Sequence, residues 1–212
     1  MVGRKAAAIL QQDFSDRNRV EHNRNRVLIL ASQSPRRVQL LQQLGLSFVQ
    51  ESACVSETVG RHPAETVCTL AREKAKAVLR RHAGENVLVL AADTVVCLDG
   101  RIFGKPADEA EAGAMLRALS GRTHQVYTGV CLCDAGKILT EYESTDVTFA
   151  PLTEEQILRY VQSGEAADKA GAYGIQGRAA AFVERVNGCY SNVVGLPLHR
   201  TVQMLEDFGV YI

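Results

Sequence analysis

Ser32-Gln-Ser-Pro-Arg-Arg37 joins an apolar run to a segment of helical periodicity, and its residue types are those that hold an anion. Amide N–H groups in the first turn of a helix are unpaired, and the positive end of the helix dipole lies beside them. Ser32 and Ser34 add hydroxyls. Arg36 and Arg37 add planar guanidinium donors that match phosphate oxygens. Two cations in a first turn oppose the dipole, so the arrangement costs stability until an anion arrives. An ordinary capped helix with a solvated arginine pair fits the same residues, so the segment needs support from elsewhere.

That support comes from Lys74. On a helical wheel Lys74 falls within the apolar stripe of Val67, Leu70, Ala71 and Val78, while Arg72, Glu73, Lys76 and Arg80 fall outside it. A lysine so placed either snorkels or aims at an anion. Asp93 follows the apolar run Val87–Ala92, which places a carboxylate at the exit of a buried strand, where ligands of α/β folds gather. A bare buried carboxylate is expensive, so it needs a metal, a proton or a cation, or else it caps the next turn. Lys105 sits between Gly104 and Pro106. Gly171-Ala-Tyr-Gly-Ile-Gln-Gly177 forms a loop whose backbone can approach a ligand, with Gln176 offering both donor and acceptor. Glu57, in an irregular stretch, says little alone.

The elements that must carry these residues are legible from periodicity. Val27–Ala31 and Val87–Ala92 read as strands buried on both faces. Ser34-Pro35 opens a helix that Gly45 ends; a second, longer helix runs from Pro63 to about His82. Asp108 caps a third, ending near Leu119. Two-fold alternation then marks a strand through Val126–Leu132, a turn at Asp134–Lys137 and a return strand Ile138–Phe149. Thr153 with Gln156 caps a short helix, Asn187-Gly188 makes a turn, and Pro197 starts a last helix closed by Gly209. Strand–helix alternation followed by hairpins predicts one α/β domain with a mixed sheet.

Composition narrows the partners. The 212 residues hold 24 Lys+Arg and 24 Asp+Glu, with 46% hydrophobic residues. A neutral balance argues against a nucleic-acid partner, and no apolar run approaches the roughly 18–20 residues of a membrane span. Residues 1–26 carry a net +3 and the remainder −3. That polar, Asn- and Arg-rich opening reads as a mobile leader ahead of a single domain, 27–212. Six cysteines without a mark of secretion read as reduced thiols in the cytoplasm. The sequences GxxxxGK[ST] and GxGxxG are missing, and no histidine spacing suits zinc.

Taken in order, Leu30-Ala-Ser-Gln-Ser-Pro-Arg-Arg37, Glu57, Leu70-Ala-Arg-Glu-Lys74-Ala75, Ala91-Ala-Asp-Thr94, Gly104-Lys-Pro106, Gly171–Gly177 and Asn192-Val-Val-Gly-Leu-Pro197 resemble the Maf-like nucleoside triphosphate pyrophosphatases. Arg36, Thr94 and Gln176 resemble the subgroup acting on dTTP and UTP. The resemblance implies an elongated α/β domain with a mixed sheet and a central cleft, similar to inosine-triphosphate-pyrophosphatase-like folds. It implies hydrolysis of a pyrimidine nucleoside triphosphate to the monophosphate and pyrophosphate, with Asp93 as proton acceptor. Glu57, Lys74 and Lys105 join Asp93 as catalytic residues. Ser32, Arg36, Arg37, Thr94 and Gln176 bind substrate, and Arg36, Thr94 and Gln176 choose the base. A divalent metal, Mg²⁺ or Mn²⁺, is expected at Glu57 and Asp93, and a homodimer is compatible. Two rivals stand beside this reading: a non-hydrolytic nucleotide-binding regulator of division and septum formation, and a Rossmann-type methyltransferase, which the missing Gly-rich first turn disfavours.

Overall fold

The apolar run Val27–Ala31 forms β1, and the serine-rich turn after it leads into α1, Pro35–Gln43. These belong to a computed structural model that describes residues 26–53, 55, 60 and 62–212 of the chain. Glu57 and residues 1–25, the stretch expected to be a leader, lie outside the described residues. Arg26, at the boundary of the expected leader, is tied to the body: its guanidinium pairs with Asp134 and donates to the Phe208 carbonyl at 3.3 Å.

Further elements follow in order. β2 is Val49–Glu51, α2 Pro63–Leu79, β3 Val87–Leu98, β4 Arg101–Phe103 and α3 Glu109–Leu119. β5 (Thr123–Cys133) and β6 (Ile138–Phe149) make a long hairpin, then come α4 (Glu154–Gln162), β7 (Val183–Asn187), α5 (Tyr190–Val194) and α6 (Leu198–Glu206). The seven strands form one mixed sheet in the order β2-β1-β3-β5-β6-β7, with β4 paired to β3. β1 runs parallel to β2 and β3; the remaining pairs are antiparallel. The α/β mixed sheet is therefore as expected.

The two sheet faces are unequal. One is covered by α2, whose Ala71, Ala75 and Val78 pack on Ile29, Val87, Val89, Ala91, Cys131 and Cys133. The other carries the larger core, where Leu28, Leu30, Leu88 and Leu90 meet side chains of α1, α3, α4 and α6. α2 lies close because Gly129 of β5 has no side chain. A Cβ there would collide with the Val67 carbonyl group and come within 2.8 Å of the Cys68 nitrogen.

Strand β3 departs from its expected end at Ala92. Pairing with β5 continues from Val89–Cys133 to Cys97–Gln125, so the ladder carries Asp93 and Thr94 in mid-strand instead of releasing them into a turn. On the opposite edge β1 stays paired only as far as Leu30–Leu90, and β4 takes over at Val96–Phe103. Ala91 to Val95 thus border a gap in the sheet beyond the carboxyl end of β1. Because side chains alternate, Asp93 faces α2 and Thr94 faces the other layer.

Local chemistry at the helix starts is mostly as expected. Asp108 accepts from Glu111 N–H at 2.8 Å, and Thr153 with Gln156 completes a capping box. Ser34 occupies the N-cap of α1 with Pro35 behind it, yet its hydroxyl makes no cap bond. Ser32 Oγ accepts the Ser34 N–H at 3.2 Å instead. Among the described residues no helix is long and apolar enough to cross a membrane, and Cys68, Cys97, Cys131, Cys133 and Cys189 are free thiols.

Candidate active site

The gap beside β3 opens into a cleft of about 410 Å³ lined by Ser32, Arg36, Arg37, Lys74, Asp93, Thr94, Lys105 and Gln176. Residues far apart in sequence meet because β1 stops there, β3 runs on past it, and the Gly-rich segment lines the same opening. Every expected site residue that is described lines this one cleft; Glu57 is outside the described residues.

At its floor Lys74 Nζ donates to Asp93 Oδ1 at 2.5 Å, with both side chains nearly buried. The helical stripe that contains Lys74 therefore turns it toward a carboxylate. This meets the requirement that a carboxylate in an apolar strand have a cationic neighbour. Asp93 retains a second oxygen toward the cleft, a hard donor suited to a divalent cation or to a water proton. Among the described residues no group of three His, Cys, Asp or Glu side chains could cage a metal by itself. Asp93 by itself offers a carboxylate oxygen of the hard kind that Mg²⁺ and Mn²⁺ take.

Arg37 and Thr94 form the wall. Arg37 Nε donates to the Gly195 carbonyl at 2.8 Å, and its Nη2 donates to Thr94 Oγ1 at 2.9 Å. Thr94 and Thr128 hydroxyls lie 2.9 Å apart, and Thr128 donates to the Asn192 carbonyl at 3.0 Å. Since Thr128 spends its proton on Asn192, the proton order is fixed: Thr94 donates to Thr128 and accepts from Arg37. One acceptor lone pair of Thr94 remains for a ligand. Asn192, wholly buried, secures the end of this chain by donating to the Val126 carbonyl and to Thr145 Oγ1, both at 2.9 Å. The sequence contains the Asn192–Pro197 stretch, but nothing in its local periodicity marks Asn192 as the anchor.

Arg36, Lys105 and Gln176 line the same cleft. Lys105 and Gln176 are exposed, and Lys105 has no hydrogen-bond partner among the described residues. Arg36 Nη1 meets Asp168 Oδ2 at 3.0 Å. Asp168 also accepts from Lys169 Nζ at 2.6 Å. Burial alone would raise the Asp168 carboxyl, but the hydrogen bonds from Lys169 and Arg36 and their charges prevail and lower it to about 2. Both Asp168 and Lys169 line the cleft, and neither is singled out by spacing or periodicity. Gly174 lines the cleft and also leaves room for a neighbouring side chain. A Cβ on it would meet Lys169 Cε at 2.5 Å and Cδ at 2.7 Å, so the lysine stem lies on the loop that presents Gln176.

A family model described as Maf-like protein matches residues 27–208. The dTTP/UTP pyrophosphatase of Symbiobacterium thermophilum is 57% identical over 86% of this chain and 94% of its own length. That of Pelotomaculum thermopropionicum is 54% identical over 86% and 96%, and that of Bacillus pumilus 48% over 86% and 97%. Among solved structures, a HAM1 protein from Coxiella burnetii aligns at 21% identity over 85% of this chain and 98% of that chain, with a TM-score of 0.47.

Proposed function

Because this chain belongs to the Maf-like protein family, we propose that it is a nucleoside triphosphate pyrophosphatase that hydrolyses dTTP and UTP to the monophosphate and pyrophosphate. The observation that carries the reading is the buried Lys74–Asp93 pair at the gap in the sheet, set among the cations of the cleft. Relatives of nearly equal length bear that activity in their names.

The residues divide the work by position. Arg36, Arg37, Lys74 and Lys105 surround the cleft with positive charge that a polyanionic triphosphate neutralises. The N–H groups opening α1 and the Ser32 hydroxyl stand where phosphate oxygens can be held. Hydrolysis forms a bond from a water oxygen to the α-phosphorus and breaks the bond from that phosphorus to the bridging oxygen, which leaves with pyrophosphate. Asp93, oriented through Oδ1 by Lys74, offers its other oxygen to accept the water proton. Lys74 offsets the charge that gathers on the phosphate oxygens. Asp93 and Glu57 would hold a divalent cation, which would supply further neutralisation of the triphosphate charge. Gln176 can bond the polar edge of a uracil or thymine, and a methyl group changes affinity by only ~1–3 kcal/mol in an apolar niche, so both bases are accepted.

A regulator that binds nucleotide without turnover would use the same cleft, but no observation favours it. The deciding experiment is pyrophosphate release from a panel of nucleoside triphosphates with Mg²⁺ or Mn²⁺. Turnover of dTTP and UTP is expected. Asp93→Asn should lower that turnover by about 10²–10⁴-fold; near-native rates at saturating metal would remove Asp93 from the proton-acceptor role, and a strong preference for GTP would overturn the substrate class.

A further inference from the structure

We propose that Asp168 is a positioning residue for substrate recognition: it holds Arg36 in the cleft wall and ties it to the loop that presents Gln176. The inference rests on the pyrimidine nucleotide reading above and extends it to a residue which that reading does not use.

Four hydrogen bonds and one packing contact carry the argument. Asp168 Oδ2 accepts from Arg36 Nη1 at 3.0 Å, and the Asp168 carbonyl accepts from Arg36 Nη2 at 3.5 Å. The second carboxylate oxygen accepts from Lys169 Nζ at 2.6 Å. Lys169 Nζ also donates to the Glu165 carbonyl at 2.6 Å, and its stem lies against Gly174. One carboxylate therefore bridges the start of α1 and the loop ahead of Gln176, joining residues 132 positions apart in the chain.

A guanidinium has five N–H donors in a fixed fork. Holding one end on Asp168 removes rotamer freedom and directs the other donors, so less order is lost when a ligand arrives. The Asp168 side chain is 58% exposed, and an exposed pair adds little to fold stability. Its effect should accordingly appear in substrate binding. Asp168 bonds to Arg36 and Lys169 and to neither Lys74 nor Asp93, so the chemical step should be left alone.

The test is a double-mutant cycle on full-length protein, read by pyrophosphate release from dTTP and UTP. Asp168→Ala should raise KM about tenfold with kcat within about twofold, as loss of a charge-assisted contact that orders a binding group predicts. Asp168→Glu should recover part of the loss. In an Arg36→Ala background, adding Asp168→Ala should change KM by less than about twofold, because the residue through which Asp168 acts is gone. An unchanged KM, an equal effect with and without Arg36, or a fall in kcat alone would overturn the proposal. Loss of the folded state in Asp168→Ala and Asp168→Glu alike would overturn it too, since the carboxylate would then be a scaffold brace. If the native protein hydrolyses neither dTTP nor UTP, the substrate reading fails separately, and the cycle is run on whichever triphosphate of the panel it does hydrolyse.

Discussion

Asp93 and Lys74 sit 2.5 Å apart at the base of the cleft with their side chains 10% and 13% exposed, and a pair so placed is much more costly to halve than to remove. Taking away the lysine leaves a largely buried carboxylate without its hydrogen-bonded cation, at about 3–5 kcal/mol. Lys74→Met should therefore lower the urea midpoint sharply, and Lys74→Met with Asp93→Asn should regain much of the stability while remaining inactive. A double variant as unstable as the single would show that the lysine contributes by packing instead. Both partners are legible in the sequence, because a lysine in an apolar stripe and an aspartate behind an apolar run each violate a local pattern. Arg37 and Thr94 are legible as residues of the site, but their mutual bond is not. Asp168 breaks no pattern at all: an acid beside a lysine ahead of a loop is ordinary surface, and only the fold brings Arg36 to it.

The distance between α2 and the sheet decides whether that pair can form. Val67 of α2 sits over Gly129 of β5, and Gly129 is the register partner of Asp93. A methyl group at Gly129 meets the helix backbone, which cannot swing aside as a flexible side chain could. Gly129→Ala should destabilise the protein by about 1–3 kcal/mol or more. It should also slow turnover, because any outward shift of α2 carries Lys74 away from Asp93. Thermal unfolding and pyrophosphate release measured on the same sample check both halves; a stable variant with full activity would mean that the sheet bends to absorb the methyl. At this scale the long helices were predictable from their apolar periodicity. The three-residue strands β2 and β4 were not, since they are too short to show alternation. The true length of β3 was hidden for a different reason: its polar residues Asp93 and Thr94 resemble a strand end, and only the ladder with β5 keeps them extended.

Across the whole molecule the even charge count conceals an arrangement. The +3 of residues 1–26 offsets the −3 of residues 27–212, and within that acidic remainder cations converge on one cleft. Neutrality of the chain thus bears on long polyanions and leaves a small one open. Response to acid is likewise set by placement more than by composition. His124 of β5 is wholly buried, with Nε2 2.8 Å from the Tyr173 hydroxyl and Nδ1 without a partner among the described residues. It stands edge-on to Phe149 and Tyr173. Burial disfavours the imidazolium and lowers its pKa to about 4, with only a weak opposing pull from Asp146. In the unfolded chain the same imidazole titrates near 6.5, so below that pH the unfolded state binds a proton that the folded state refuses. The stabilisation is complete above pH ~6.5 and is lost as pH falls toward ~4, by about 3 kcal/mol at most. Unfolding free energies from urea titrations at pH 7, 5.5 and 4.5 should decline for the native chain. The decline should be shallower in His124→Gln, which removes the titrating ring while keeping a polar group near Tyr173. Carboxylates titrate in both proteins and cancel in the difference, so equal slopes would assign the acid sensitivity to groups other than His124.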